Sequence, residues 1–293
     1  MTNVNCKSSP DQFPGSRVRL PSALCLLAFA LGVGLVGCAE REALTVLRGP
    51  TMGTTYTVKI AEPVTPDAAA SLKIRIDAEL DRINRSMSTY DQQSELSIIN
   101  RSGAGQWIEV SNGLFEVLSI AASVHGDSGG AFDVTVGPLV NLWGFGPHDV
   151  APGPPTPAQL EQARAVVGFE LLSLRSKPPS IMKAHRDIYI DLSAIAKGYA
   201  VDRLAAILEQ NGFEHFMVEI GGEIKLRGHN PGGTGWRIAL ERPDGDRIVP
   251  DEVLTLSDMA LATSGNYRNY HEIDGQRCGH TLDPRTGAPL THR

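Results

Sequence analysis

In the stretch IYIDLSAIAKGYAVDRLAAILEQ, residues 188–210, one lysine occupies a place that suits an apolar residue. The segment is apolar and β-branched as far as Asp191 and takes on helical period from Ser193, with Asn211-Gly212 as a stop signal. Ser193 is placed to cap that helix, its hydroxyl accepting from a first-turn N–H. Lys197 falls in register with Val201, Leu204 and Leu208, so it shares their apolar face. It also sits in the first turn, where the helix dipole disfavours a cation. Gly198 beside it costs the helix about 1 kcal/mol relative to Ala. A cation set against both preferences, with Asp191 just ahead of it, fits a pocket for an anionic ligand. It fits equally a lysine that snorkels to solvent and pairs with Asp191. The segment by itself leaves both readings open.

Other reactive patterns are weaker. The chain has no metalloprotease His pair, no CxxC, no Walker loop and no G-x-G-x-x-G fingerprint. Gly129-Gly130 and Gly221-Gly222 could expose backbone N–H groups to an anion, although most Gly-Gly pairs only turn the chain. A Ser-His-Asp hydrolase could draw on His125, His215, His229, His271 or His280, but no G-x-S-x-G elbow supports one. A Schiff-base role for Lys197 needs an apolar pocket, and Asp191 nearby argues for a charged amine. Residue types and spacing thus give an anion-binding pocket without naming a reaction.

The 293 residues suffice for one large domain or two small ones, and the net charge of −6 argues against a nucleic-acid partner. Lys7, Arg17 and Arg19 precede a charge-free stretch over residues 20–39. Residues 1–37 therefore read as a signal peptide. It ends in Leu35-Val36-Gly37-Cys38, which resembles the bacterial lipobox and implies lipidation of Cys38. An uncleaved anchor is the alternative, since about 20 apolar residues can span a bilayer; the small residues before Cys38 favour cleavage. Either way the body, residues 38–293, is expected on the exported, periplasmic side, held to an envelope membrane. With Cys38 lipidated, Cys278 is the single free cysteine left in that body, so an internal disulfide is not expected.

The elements that must position Lys197 follow from periodicity. Strands are expected at 44–47 and 54–60, around a turn over residues 49–53. A helix opens at Thr65-Pro66 and buries Leu72, Ile76, Leu80, Ile83 and Met87. Ser88-Thr89-Tyr90-Asp91 is a polar turn, 107–110 a strand, and 114–125 a helix started by Ser111. A surface loop with five prolines between Pro147 and Pro157 precedes a helix over 157–167. After the Lys197 helix, strands are expected at 216–220, 223–228, 236–240, 253–256, 259–263 and 267–273. Short strands joined by tight turns predict an α+β fold: one domain of largely antiparallel sheet with helices packed on it.

Eight stretches in order resemble one family, the ApbE-type FAD:protein FMN transferases. They are TMGTTY from Thr51; MSTY from Met87, with Ser94-Glu95; GAFDVTVGPL from Gly130; WGFG from Trp143; DLSAIAKGYAVD from Asp191; Gly221-Gly222-Glu223; ATSGNY from Ala262; and HTLDPRTG from His280. The resemblance implies an enzyme that binds FAD and a divalent cation, usually magnesium. The hydroxyl of a Thr in a partner flavoprotein attacks the FAD pyrophosphate, FMN becomes joined through a phosphoester, and AMP leaves. Respiratory flavoprotein subunits are the usual acceptors. The resemblance places FAD contacts at Met52, Tyr90, Ala131, Phe132, Asp133, Asp191, Lys197 and Thr281, where an aliphatic residue is commoner. It makes the backbone carbonyl of Ala194 a metal ligand, and it assigns no catalytic residue. Tyr90 could stack on a cofactor ring; taken singly, Tyr90 and Met52 read as packing residues.

Family members continue into a segment that supplies carboxylate and Thr ligands to the metal. The matching expectation is that residues 38–293 lack this segment, since Asp258–Thr263 has a similar look but precedes the SGNY match. FAD hydrolysis to FMN and AMP, a non-enzymatic FAD-binding lipoprotein and an inactive copy are the alternatives.

Overall fold

The computed structural model describes residues 43–147, 154–241, 250–265, 269–273 and 276–290. Cys38, the signal segment and part of the expected strand at 267–273 lie outside them. Strands β1 (Thr45–Thr51) and β2 (Thr54–Ile60) pair antiparallel. Their turn is only Met52-Gly53, with φ of 48° and 71°, the mirror-image turn whose twist matches a hairpin. The longer turn expected from Gly49 is corrected: Gly49 stays in the strand opposite Tyr56, whose ring would lie 2.6 Å from a Cβ there.

Helix α1 (Pro66–Met87) starts as read, with Thr65 accepting from the Ala68 N–H, and its stripe from Leu72 to Met87 is buried. Helix α2 (Glu95–Arg101), capped by Ser94, is too short for its period to have stood out. Strand β3 (Ile108–Glu109) and helix α3 (Asn112–Asp127), capped by Ser111, follow expectation. Helix α4 (Gly137–Leu142) was not anticipated, and α5 (Pro157–Arg164) stops short of residue 167. The hairpin β4 (Leu172–Ser176) and β5 (Pro179–Lys183) was also not anticipated; Lys177-Pro178-Pro179 hides it, and Lys183 breaks its apolar pattern.

Helix α6 (Ala196–Gln210) leads into β6 (Phe216–Ile220) and β7 (Glu223–Arg227), joined by the Gly221-Gly222 turn. Then come β8 (Trp236–Glu241), β9 (Pro250–Leu256) and β10 (Ala260–Leu261). Hairpins β11 (Tyr270–Ile273) with β12 (Gln276–Gly279), and β13 (Leu282–Asp283) with β14 (Ala288–Pro289), end the described chain. The strand expected at 259–263 shrinks to its two paired residues, Ala260 and Leu261, opposite β7.

The central sheet has the order β1-β2-β6-β7-β10, antiparallel throughout. Alternation sorts its two faces. Tyr56, Val58 and Ile60 of β2 and Phe216, Val218 and Ile220 of β6 join one core with the stripes of α1, α3 and α6. Met217, Ile224 and Leu226 join a second core with Trp236 and Ile238 of β8. A separate sheet, β3-β5-β4, contributes Ile181 and Leu172 to the first core. The α+β expectation holds: layered helices on antiparallel sheet.

Strand β7 turns every second residue toward α6, and each meets an opposite charge. Glu223 faces Lys197 at 2.8 Å, Lys225 faces Asp202 at 2.6 Å, and Arg227 faces Glu209 at 2.7 Å. Pairs this exposed contribute under about 1 kcal/mol each, but alternating signs oppose a slip of helix against strand.

Candidate functional site

The start of α6 differs from the sequence reading in two ways. Ser193 does not cap it. The residue before the first helical turn is Ile195, which makes no side-chain cap bond, while the Ser193 N–H donates to Asp191 Oδ1 at 2.8 Å. The backbone bonds jump from Ala196 N–Leu192 O to Tyr199 N–Ile195 O. Among the described residues no backbone N–H reaches the carbonyls of Ser193 or Ala194, and Ala194 is exposed. Asp191 is therefore spent on shaping this turn rather than on Lys197.

Lys197 pairs instead with Glu223 across the β6–β7 turn. The two charges are 2.8 Å apart but not aligned as a hydrogen bond, and Nζ donates to the Gly221 carbonyl at 3.3 Å. The lysine side chain is 30% exposed, so it neither lies in the core nor runs free into solvent. An ammonium has three donors, which leaves capacity for an anion. The Gly221-Gly222 turn, with φ of 54° and 100°, lies against the start of β2: a Cβ on Gly221 would sit 2.8 Å from Thr54. Thr263 donates to the Gly222 carbonyl at 3.3 Å. One end of the sheet thus gathers Lys197, Glu223, Gly221-Gly222 and Thr54, next in sequence to Met52-Gly53. Met52 is half-buried against the first core.

A second group of predicted residues lies along the stretch that leads to α6. Residues 133–137 run beside 189–191: Asp191 N donates to the Val134 carbonyl at 2.7 Å, and Val136 bridges Tyr189 in parallel. Among the described residues the β-branched run before Asp191 makes this one bridge. Asp133 is buried, and its carboxylate is already occupied. Oδ1 accepts from Thr135 N at 2.8 Å and Thr135 Oγ1 at 2.6 Å; Oδ2 accepts from Phe169 N at 3.0 Å and lies 3.3 Å from His125 Nδ1. Asp133 therefore ties the 133–135 turn to Phe169 and to His125. Phe132 packs half-buried on the core, and Ala131 is exposed.

Tyr90 is 70% exposed on its turn after α1, which Ser88 Oγ fastens by accepting from the Tyr90 and Asp91 N–H groups. It lies close enough to Tyr189 to interact electrostatically with it. Burial, and then the neighbouring Asp191 charge, push the Tyr189 phenol upward. Tyr189 and Asp191 run beside the segment that follows the 131–133 loop, and the turn from Asp191 to Lys197 joins them to the sheet end. The Thr281 carbonyl accepts from Leu290 N at 2.9 Å, and the β13–β14 hairpin packs on the WGFG stretch through Trp143 Nε1–Gly287 O at 2.8 Å.

This arrangement matches known proteins over most of its length. The ApbE family profile matches residues 52–293. The FAD:protein FMN transferase of Vibrio cholerae is 44% identical over 269 residues, 92% of this chain and 80% of that protein. The Haemophilus influenzae protein of that name is 41% identical, over 91% and 79%. The solved flavin transferase ApbE from V. cholerae superposes with a TM-score of 0.78 at 43% identity, covering 86% of this chain and 79% of that one. The apo flavinyl transferase ApbE of Pseudomonas stutzeri gives 0.76 at 38%, over 85% and 77%. The chain belongs to the ApbE family.

The divalent cation that the resemblance implies would need ligands among the described residues. They hold no group of three or more His, Cys, Asp or Glu side chains able to bind a metal. Ala194 is exposed and its carbonyl meets no backbone donor among the described residues, which suits a ligand, but a hard cation needs several oxygens. Sequence reasoning missed Glu223 as the partner of Lys197, along with Asn100, Tyr189 and Lys183 around the Asp191 segment. Glu223 stood in a matched stretch; its partner depends on the register of β7 against α6, which no local spacing reveals.

Proposed function

We propose that this protein transfers FMN from FAD to a Thr hydroxyl of a partner flavoprotein. Family membership supports the reading, and one observation carries it to these residues: a half-exposed Lys197 at a helix start, with spare donors, over the Gly221-Gly222 turn. The FAD pyrophosphate lies against Lys197, with the flavin toward Tyr90 and the 131–133 loop. The acceptor oxygen forms a bond to the phosphorus on the FMN side. The bond from that phosphorus to the bridging oxygen breaks, and AMP leaves with the electron pair. The hydroxyl proton passes to solvent. Pyrophosphate transfer depends mainly on positioning and charge neutralisation, which a fixed cation supplies. Magnesium dependence belongs to the proposal through the resemblance alone.

Incubating the protein with FAD, magnesium and an acceptor bearing the target Thr is expected to add one FMN to that Thr by mass spectrometry, with one AMP released per adduct. AMP with free FMN and no adduct would identify a hydrolase; FAD binding without AMP would identify a binding protein. Either result would sink the transferase reading. Leaving out magnesium tests the cation.

We extend the proposal to location: a lipoprotein held at the periplasmic face of an envelope membrane through Cys38. Cells fed labelled palmitate are expected to label the protein, and Cys38→Ala is expected to abolish the label and move the protein out of the membrane fraction. Labelling that survives Cys38→Ala would refute it.

A further inference from the structure

Beside the Asp191 segment lies a lysine that the transfer reaction does not use. Lys183, at the end of β5, is 1% exposed. Its ammonium donates to three backbone carbonyls: Asn100 at 2.8 Å, Arg186 at 3.0 Å and Ile188 at 3.3 Å. Among the described residues no carboxylate reaches it as an ion pair. A buried charge is costly unless its hydrogen-bonding capacity is met. Here three donors meet three acceptors, and the acceptors come from two separate segments, the end of α2 and the turn before Tyr189.

Asn100 carries the effect onward. Its Oδ1 accepts from Ile190 N at 2.8 Å and its Nδ2 donates to Ile190 O at 2.9 Å, so the side chain imitates a paired strand. The next residue is Asp191, whose N–H is held on the other side by Val134 O at 2.7 Å. Segment 188–191 is thus clamped from both sides, immediately before the turn that carries Ala194 and Lys197. A methionine would fill the volume of Lys183 without the cost of the charge, but it could not draw three carbonyls to one point.

We propose that Lys183 and Asn100 are positioning residues of the FAD site: the caged ammonium fixes Asn100 and the 186–188 turn, and Asn100 fixes the register of Ile190-Asp191. Neither touches the reacting atoms. The inference rests on the FAD reading of the site, so the unsubstituted protein is tested first. FAD affinity is measured by flavin fluorescence for the unsubstituted protein, Asn100→Ala, Lys183→Met and Ile76→Ala, each with a thermal melt. Ile76→Ala removes a fully buried α1 side chain and serves as a stability control.

Asn100→Ala and Lys183→Met are expected to weaken FAD binding at least about tenfold, while Ile76→Ala stays within about twofold at similar stability loss. Unchanged affinity in a folded Asn100→Ala, or an equal loss in Ile76→Ala, overturns the proposal. If Lys183→Met does not fold, Asn100→Ala decides. Failure of the unsubstituted protein to bind FAD would overturn the site reading itself and this proposal with it.

Discussion

Lys197→Ala is expected to weaken FAD binding about 10- to 100-fold and to leave the protein folded. A hydrogen bond to a charged group is worth about 1.5–3 kcal/mol, and each 1.4 kcal/mol is about tenfold in affinity. The stability cost is smaller. Lys197 is 30% exposed and Glu223 19%, and their 2.8 Å contact is not aligned as a hydrogen bond. Such a pair contributes under about 1 kcal/mol. The substitution also leaves Glu223 without its cation, next to where a pyrophosphate would lie, and this repulsion adds to the binding loss. Glu223→Gln separates the two effects. With Lys197 kept it is expected to hold FAD affinity within about threefold, and combined with Lys197→Ala it shows the binding loss without the repulsion. Flavin fluorescence titration with a thermal melt reads both quantities. Unchanged affinity in a folded Lys197→Ala would refute the assignment of Lys197 to the site.

The unusual placement of Lys197 was legible because it breaks a local pattern, and so was the α1 stripe, because it keeps one over 22 residues. What stayed hidden depends on distant register. Glu223 meets Lys197 only because β7 lies against α6 in one alignment. One of the two open readings paired Asp191 with Lys197 on proximity in sequence, whereas its carboxylate bonds two residues on, to the Ser193 N–H. That Asx-type turn delays the helix to Ala196 and displaces Ser193 from the cap. Asp133 was legible as a site residue only through resemblance; its buried bonds to Thr135 and Phe169 show a loop brace. Helices of six and seven residues, α4 and α2, hold too few turns for periodicity to separate them from loops.

The sharpest structural test of the joined segments is Gly137. A Cβ there would lie 2.4 Å from the Tyr189 ring and 2.5 Å from the Tyr189 carbonyl oxygen. The carbonyl is backbone and cannot swing aside, so the 133–137 and 189–191 segments would have to part. That breaks the Val136–Tyr189 bridge and strains the Asp191 N–Val134 O bond that feeds the α6 turn. Overpacking of this kind costs about 1–3 kcal/mol, and more where backbone must move. Gly137→Ala is therefore expected to lower stability by about 3 kcal/mol or more in urea unfolding. The surviving folded fraction should bind FAD at least about tenfold more weakly, because Asp191 and Lys197 lose their common frame. Gly198→Ala is the matched control: a Cβ there meets nothing within 4 Å, and Ala in a helix gains up to about 1 kcal/mol over Gly. If Gly137→Ala proved as stable as Gly198→Ala, the close approach of these two segments would be wrong, and with it the frame on which the site is built.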